Sequence, residues 1–239
     1  MYLVTGTSSG IGLAIAGYLL DQGVEVVGVS RRSTPICHPK FHLVQGDVAD
    51  PKVHEQILAL VNGKLDGVVF NAGILDAITK LDASDVDAWR RVFEVNLFSI
   101  VGILPVLTPS LRKSEGNVVF VSSDAATVPF QAWGAYGASK AAVNHLSMTL
   151  AKEEPAITSV AVAPGIVATP MQENIRENHT SSGHMDDKEA SYFHDMYQEG
   201  KLVTAEQTGK MYGNLVLNAG KELNGKYYCH DDVALKSYN

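Results

Sequence analysis

The stretch Thr5-Gly6-Thr7-Ser8-Ser9-Gly10-Ile11-Gly12 sets three glycines among small hydroxyl residues within the first dozen positions of the chain. It follows the apolar run Tyr2-Leu3-Val4 and precedes a segment in which Ile11, Ile15, Tyr18 and Leu19 recur at helical spacing. Glycine tolerates positive φ and lets another group approach the backbone closely. A turn of this kind between a strand and a helix aims free amides and the positive helix end at an anion, and phosphate is the natural candidate. The spacing is Gly-x-x-x-Gly-x-Gly, whereas the commoner dinucleotide turn reads Gly-x-Gly-x-x-Gly. Taken alone, the stretch is therefore a weak signal that a simple tight turn would also satisfy.

Outward from this turn, short β-branched runs alternate with helical patterns. The predicted strands are Tyr2–Thr5, Glu25–Ser30, His42–Gln45, Gly67–Phe70, Asn117–Ser122, Ser159–Ala163 and Lys226–Cys229. Two long helices are expected, Asp85–Arg112 with a bend or an open turn at Pro105, and Gly134–Glu153. Alternation of this kind builds βαβ units, so the predicted fold class is α/β, a doubly wound parallel sheet with helices on both faces. At 239 residues the chain fits one domain spanning 1–239. One segment breaks the rhythm: Gln172–Gly200 is polar and carries no clear strand, which reads as a mobile insertion forming a substrate lid at about 171–200.

Composition excludes several classes. Hydrophobic residues make up 46% and charged residues 19%, values of an ordinary globular chain. The net charge of −7, without any Lys/Arg cluster, argues against a nucleic-acid surface. No uninterrupted apolar run approaches the ~18 residues of a membrane span, and a strand beginning at Tyr2 leaves no room for a signal peptide. The expectation is a cytoplasmic protein without a membrane partner, with Cys37 and Cys229 as free thiols. His179, His184 and His194 lack metal-ligand spacing and read as surface residues, so no metal site is expected.

Three further features carry chemistry. The second strand ends in Ser30-Arg31-Arg32, where an acidic residue would grip the ribose hydroxyls of NAD; arginine there suits a 2′-phosphate, and NADP is favoured. Solvated surface arginines are the bland alternative. Tyr136 and Lys140 stand four residues apart on a predicted helix, so their side chains share a face. An ammonium beside a phenol favours phenolate and brings a group that titrates near ~10 toward neutrality. Ser123 closes the strand before that helix, at the sheet edge where ligands bind, and its hydroxyl is placed to hold a carbonyl oxygen. Asp124 beside it either anchors a polar substrate group or caps the following turn.

The combination of TGTSSGIG, Asn71-Ala72-Gly73, Asn96 within EVNLFS, Ser123, YGASK and PGIVAT resembles the single-domain short-chain dehydrogenase/reductase family. The resemblance implies a Rossmann-type fold with a seven-stranded parallel sheet and hydride transfer from a nicotinamide. It makes Tyr136 the catalytic acid, Lys140 its pKa-lowering partner and ribose ligand, and Ser123 the orienter of the carbonyl. Asn96 would hold a water linking Lys140 to solvent. Gly6, Ser8, Gly10, Ile11 and Gly12 would line the pyrophosphate turn, and Asp47 would contact adenine. Asn71 would lie near the adenosine ribose, Val167 and Thr169 would hold the carboxamide, and Pro164 would also contact the cofactor. The stretches GNVVFVSSDA, WGAYGASKAAVNH, MTLAKEEP and VAVAPGIVATPMQENIRE resemble fungal members of benzil reductase-like or sepiapterin reductase-like type. One departure is that the glycine turn holds no basic residue, which leaves Arg31 to carry NADP preference.

Phe130, Trp133, Pro164 and Met171 fall near the inferred crevice and suit an aromatic or diketone substrate, though core packing explains them equally. The function expected is NADPH-dependent reduction of a ketone or diketone, with other alcohol/ketone oxidoreductases of the family as alternatives. A non-catalytic NADP-binding sensor would have no need of Ser123, Tyr136 and Lys140. A sugar-nucleotide epimerase would need a Gly-x-x-Gly-x-x-Gly turn and a larger C-terminal region. The resemblance also implies a homodimer or homotetramer paired through the helices that carry Asn96 and Tyr136.

Overall fold

In the computed structural model, which describes residues 1–180 and 183–239, the strands are β1 (Tyr2–Thr5), β2 (Val26–Ser30), β3 (Phe41–Gln45), β4 (Gly67–Phe70), β5 (Asn117–Val121), β6 (Thr158–Ala163) and β7 (Lys226–Cys229). They form one sheet in the order β3-β2-β1-β4-β5-β6-β7. Every pairing is parallel, with Val4 opposite Gly28 on one side and Val69 on the other. Strand order reverses between β1 and β4, so a crevice opens beyond their C-terminal ends, where ligands of such sheets sit. The central strands are continuous apolar runs because both of their faces are covered.

The helices are α1 (Gly10–Asp21), α2 (Pro51–Val61), α3 (Val86–Phe93), α4 (Ser99–Ser114), α5 (Gly134–Glu153), α6 (Pro170–Asn174), α7 (Asp187–Gln198) and α8 (Ala205–Asn218). On one face, Ile57 of α2, Ile103 and Leu107 of α4 and Val143 of α5 pack on Val68 and Phe120. On the other, Ile15 and Leu19 of α1 meet Tyr212 and Leu215 of α8 over Val69 and Val119. Each such side chain stabilises the fold by about 1.5–3 kcal/mol through leaving water.

The strand bounds agree with those read from the sequence to within one residue, and the helix Gly134–Glu153 agrees at both ends. The other long helix runs from Val86 to Ser114 through Pro105 and Pro109, and a π-helical turn at Glu94–Phe98 interrupts it. By length and composition it could cross a membrane, a property masked in the sequence by scattered Ser, Thr and Pro. Here it is a core helix, with Ile100, Ile103, Leu107 and Leu111 turned inward.

The polar stretch after Met171 differs from the expected irregular insertion. It carries the end of α6, a π-helical turn at Ile175–His179, and α7. Asp186 caps α7 by accepting from the Glu189 amide at 2.8 Å. Its few apolar residues, among them Ile175, Met185 and Phe193, gather on Leu75, Trp133 and Tyr136 in a third cluster. A bridge between Val167 and Val203 closes the base of the excursion. Ser181 and Ser182 lie outside the described residues.

Candidate active site

The glycine turn joins β1 to α1 at the reversal point. Gly6 and Gly10 have φ of 82° and 58°, and a Cβ on Gly12 would stand 2.3 Å from the Gly6 carbonyl oxygen. The backbone folds this tightly because Asn71, at the end of β4, braces it. Its side-chain amide donates to the Thr5 carbonyl at 2.8 Å, while its own backbone N–H and that of Ala72 donate to Thr5 Oγ1, each at 3.0 Å. Asn71 lines the cavity, but its amide is committed to holding the turn. Ser9 stands at the N-cap of α1 without a side-chain cap bond, and the first turn holds no acidic residue. The helix end therefore presents uncapped amides and positive potential to the cavity, a cradle that fits a pyrophosphate.

Arg31 and Arg32 both line this end of the cavity. Arg32 reaches across the turn, with Nη2 3.4 Å from Ser8 Oγ and 3.2 Å from Ser9 Oγ. The turn thus acquires a guanidinium that its own sequence lacks. Arg31 was the residue assigned from the sequence, and strand-end position alone did not distinguish it from its neighbour. Asp47 accepts from Arg91 Nη2 at 2.8 Å and from the Ala49 amide at 3.0 Å. Burial pushes its carboxyl up, but these bonds together with the charges of Arg91 and Arg31 bring it below its ordinary value.

Deeper in the crevice, α5 presents Tyr136 and Lys140 from one face, both buried. Lys140 Nζ donates to the Val121 carbonyl at 2.8 Å and lies 5.7 Å from the centre of the Tyr136 ring. Burial lowers the Lys140 ammonium to about 8. Burial also pushes the Tyr136 phenol up to about 12; a hydrogen bond with Ser123 draws it down, and the charge of Asp124 adds to the rise. This corrects the expectation that Lys140 brings the phenol toward neutrality. In the protein itself desolvation by burial is the largest influence on the phenol, and it favours the neutral form. Tyr136 is accordingly held as a protonated donor at neutral pH.

Asn96 sits in the π-helical turn, buried, and its side chain is engaged throughout. Oδ1 accepts from the Ile74 amide at 2.8 Å, while Nδ2 donates to the Ile74 carbonyl and to Ser139 Oγ, both at 3.0 Å. These bonds fix the loop after β4 against α5. Ser123 Oγ accepts from the Ala125 amide at 3.2 Å and so makes the turn cap that Asp124 was a candidate for. Asp124 instead accepts from Cys229 Sγ at 3.5 Å, and Cys37 and Cys229 are both free thiols.

Turn and triad open on one cavity of about 320 Å³. Its wall is aromatic. Ring centres are 5.0 Å apart for Phe130 and Trp133, 5.4 Å for Trp133 and Phe193, and 5.9 Å for Trp133 edge-on to Tyr136. Pro164, Val167, Thr169 and Met171 line the same space, as the sequence led us to expect. Tyr192, Phe193 and Gln172 were not foreseen. They come from the polar stretch, whose helical period was hard to see among so many charges. Glu189 of α7 also accepts from the Gln131 amide at 2.9 Å, tying that helix to the loop before α5.

The histidines need one correction. His179 is buried, its Nε2 2.9 Å from Asn174 Nδ2, and burial lowers its pKa against the raising effect of Asp76. His194 Nε2 meets Thr180 Oγ1 at 3.2 Å. Among the described residues, no three His, Cys, Asp or Glu side chains are grouped to hold a metal ion.

A sheet of this order, a glycine turn at its reversal point and a Ser-Tyr-Lys cluster beside it form the frame of an oxidoreductase. Residues 1–180 match the short chain dehydrogenase family, and the chain belongs to it. It is 40% identical to the uncharacterized oxidoreductase YIR035C of Saccharomyces cerevisiae, over 99% of this chain and 97% of that one. The crystal structure of YIR035C superposes with a TM-score of 0.95, covering 99% of this chain and 98% of the other. Similarity extends to the (S)-benzoin-forming benzil reductase IRC24 of S. cerevisiae, 36% identical over 98% of this chain and 96% of that protein.

The Gly12 geometry makes a direct prediction. In Gly12→Ala the turn must open to relieve the contact with the Gly6 carbonyl, at a cost of about 1–3 kcal/mol. Binding of a reduced nicotinamide dinucleotide, followed by its fluorescence, is expected to weaken about tenfold or more, since 1.4 kcal/mol is a factor of ten.

Proposed function

We propose that the protein is an NADPH-dependent ketone reductase whose substrates are aromatic diketones of the benzil type. The observation that carries this reading is a buried Tyr136 whose phenol burial keeps protonated, lining with Ser123 and Lys140 an aromatic-walled cavity that continues into a glycine cradle. The likeness to benzil reductases in yeast and in Bacillus subtilis, the latter 29% identical over 95% of this chain, supports the choice of substrate.

When bound, the reduced nicotinamide supplies the hydride that goes to the carbonyl carbon. The protein's part is proton transfer and position. Ser123 and Tyr136 hold the carbonyl oxygen, and the Tyr136 hydroxyl gives its proton as negative charge gathers there, yielding the alcohol. The phenolate left behind lies beside the Lys140 ammonium, which stabilises it until a proton returns. The aromatic wall excludes water and grips a flat substrate body.

Arg31 and Arg32 support NADPH over NADH, since a guanidinium pairs with a 2′-phosphate by charge-assisted bonds. The double variant Arg31→Asp with Arg32→Ala is expected to lower kcat/KM for NADPH about a hundredfold and to raise that for NADH. An unchanged NADPH-to-NADH ratio would refute the assignment.

In this reading α6 and α7 are the lid, and the enzyme works in the cytoplasm as a homodimer or homotetramer. Phe98 at the end of the π-helical turn, Val101 on α4 and Met148 on α5, each about half exposed, support pairing through these helices. The reading is tested by NADPH consumption with benzil. Product carrying one hydroxyl supports it, and no turnover across benzil and other aromatic ketones would overturn it.

A further inference from the structure

We propose that Arg91 is a positioning residue for nucleotide choice: by neutralising Asp47 it keeps Arg31 free for the 2′-phosphate of the cofactor. The proposal rests on the NADPH reading above and deepens it. β2 and β3 end side by side, with Ser30 opposite Gln45. The Gly46 amide donates to the Ser30 carbonyl at 3.0 Å, and Gln45 Nε2 donates to the Arg31 carbonyl at 3.2 Å. Arg31 and Asp47 thus follow adjoining strand tips, and both line the cavity. Arg91 belongs to α3 and lies outside that lining, yet its Nη2 stands 2.8 Å from Asp47 Oδ2.

A carboxylate at that place works against a bound phosphate in two ways. It repels the phosphate directly, and it offers Arg31 a competing partner. The charge of Arg31 already acts on Asp47, as does that of Arg91. Only Arg91 closes an ion pair with it, and Arg31 makes none among the described residues. The Arg91 and Asp47 side chains are 44% and 32% exposed, and a pair so exposed adds little to the stability of the fold. Its effect on the charge of the cavity mouth is larger. With Arg91 in place, Asp47 is balanced, and the charges of Arg31 and Arg32 are both left for the phosphate. Without Arg91, Asp47 offsets one of them.

The test uses two variants that break the same ion pair and change the local charge in opposite senses, Arg91→Met and Asp47→Asn. Both positions are partly exposed, so the fold is expected to tolerate them. Calorimetric titration with NADP+ and with NAD+, which differ only in the 2′-phosphate, reads the outcome without turnover. Any adenine contact made by Asp47 is common to both nucleotides and divides out of the ratio. The preference for NADP+ is expected to fall about tenfold in Arg91→Met and to rise about threefold in Asp47→Asn. The double variant has the parent's net charge and is expected to return to within about threefold of the parent's preference. Arg91→Lys, which keeps the charge, is expected to match the parent, and added salt to shrink both shifts. If both single variants weaken the two nucleotides by one common factor, the pair is a structural brace and the proposal is overturned. A double variant that keeps the low preference of Arg91→Met overturns it as well. A parent's preference retained in Arg91→Met overturns the proposal and leaves the NADPH reading standing, whereas a parent that binds NADP+ and NAD+ equally overturns both.

Discussion

Replacing Tyr136 by Phe is expected to lower kcat for benzil reduction about a thousandfold while nucleotide binding and the thermal transition stay close to those of the parent. The substitution removes one hydroxyl from a ring whose edge-on contact with Trp133 remains. Loss of the hydroxyl's polar contacts costs the fold about 1 kcal/mol at most. Its cost to the reaction is the proton itself, which the phenyl ring cannot give. A Ser123→Ala variant should retain more activity than Tyr136→Phe, since it leaves the proton in place and removes only an orienting bond. Parallel assays of NADPH oxidation and nucleotide titration separate these effects. Full turnover by Tyr136→Phe would remove the phenol from the mechanism.

Lys140→Met is the second large effect, and it moves activity and stability in opposite directions. An unperturbed lysine titrates at 10.5 and Lys140 at about 8, so below pH 8 the folded protein carries a buried charge that the unfolded chain solvates freely. The linkage sign follows: between these values the unfolded state binds more protons, and stability rises with pH as the penalty is relieved. At pH 7 the full penalty, about 3 kcal/mol, is present. Methionine removes it but strips the Val121 carbonyl of its donor, which costs about 1–2 kcal/mol. A net gain of about 1–2 kcal/mol at pH 7, fading toward pH 10, is expected from denaturant unfolding at several pH values. Turnover should meanwhile drop by about a hundredfold or more, because the phenolate formed on Tyr136 loses its counter-charge. In the parent, the alkaline limb of the rate should fall near pH 8, where Lys140 deprotonates, well before Tyr136 does. A variant both less stable and fully active would contradict the account.

The two pKa values mark the limit of what residue spacing conveys. Tyr136 and Lys140 four apart on a helix announced a shared face, and α5 places them so. Whether the charge or the burial wins depends on how much protein covers the pair, and that cover comes from elsewhere. Of the residues that gather with Tyr136, Leu75 follows β4, Ile175 follows α6 and Phe193 lies within α7. Arg32 illustrates the same limit. Two adjacent arginines at a strand end are equivalent in sequence, and only the path of the chain over Ser8 and Ser9 separates them. Asn96 was recognisable as a site residue, yet its hydrogen bonds to Ile74 and Ser139 appear only when the π-helical turn, the loop after β4 and α5 meet.

The sequence by itself determined the strand-helix alternation, the parallel sheet, the glycine turn between β1 and α1 and the Ser-Tyr-Lys set, since these follow from local periodicity, glycine's freedom in φ and short spacings along one element. Tertiary structure decided the burial of Tyr136 and Lys140, the reach of Arg32 over Ser8 and Ser9, the helical form of the stretch after Met171 and the buried Gln172 amide. Each of these depends on desolvation and on partners that distant parts of the chain bring together.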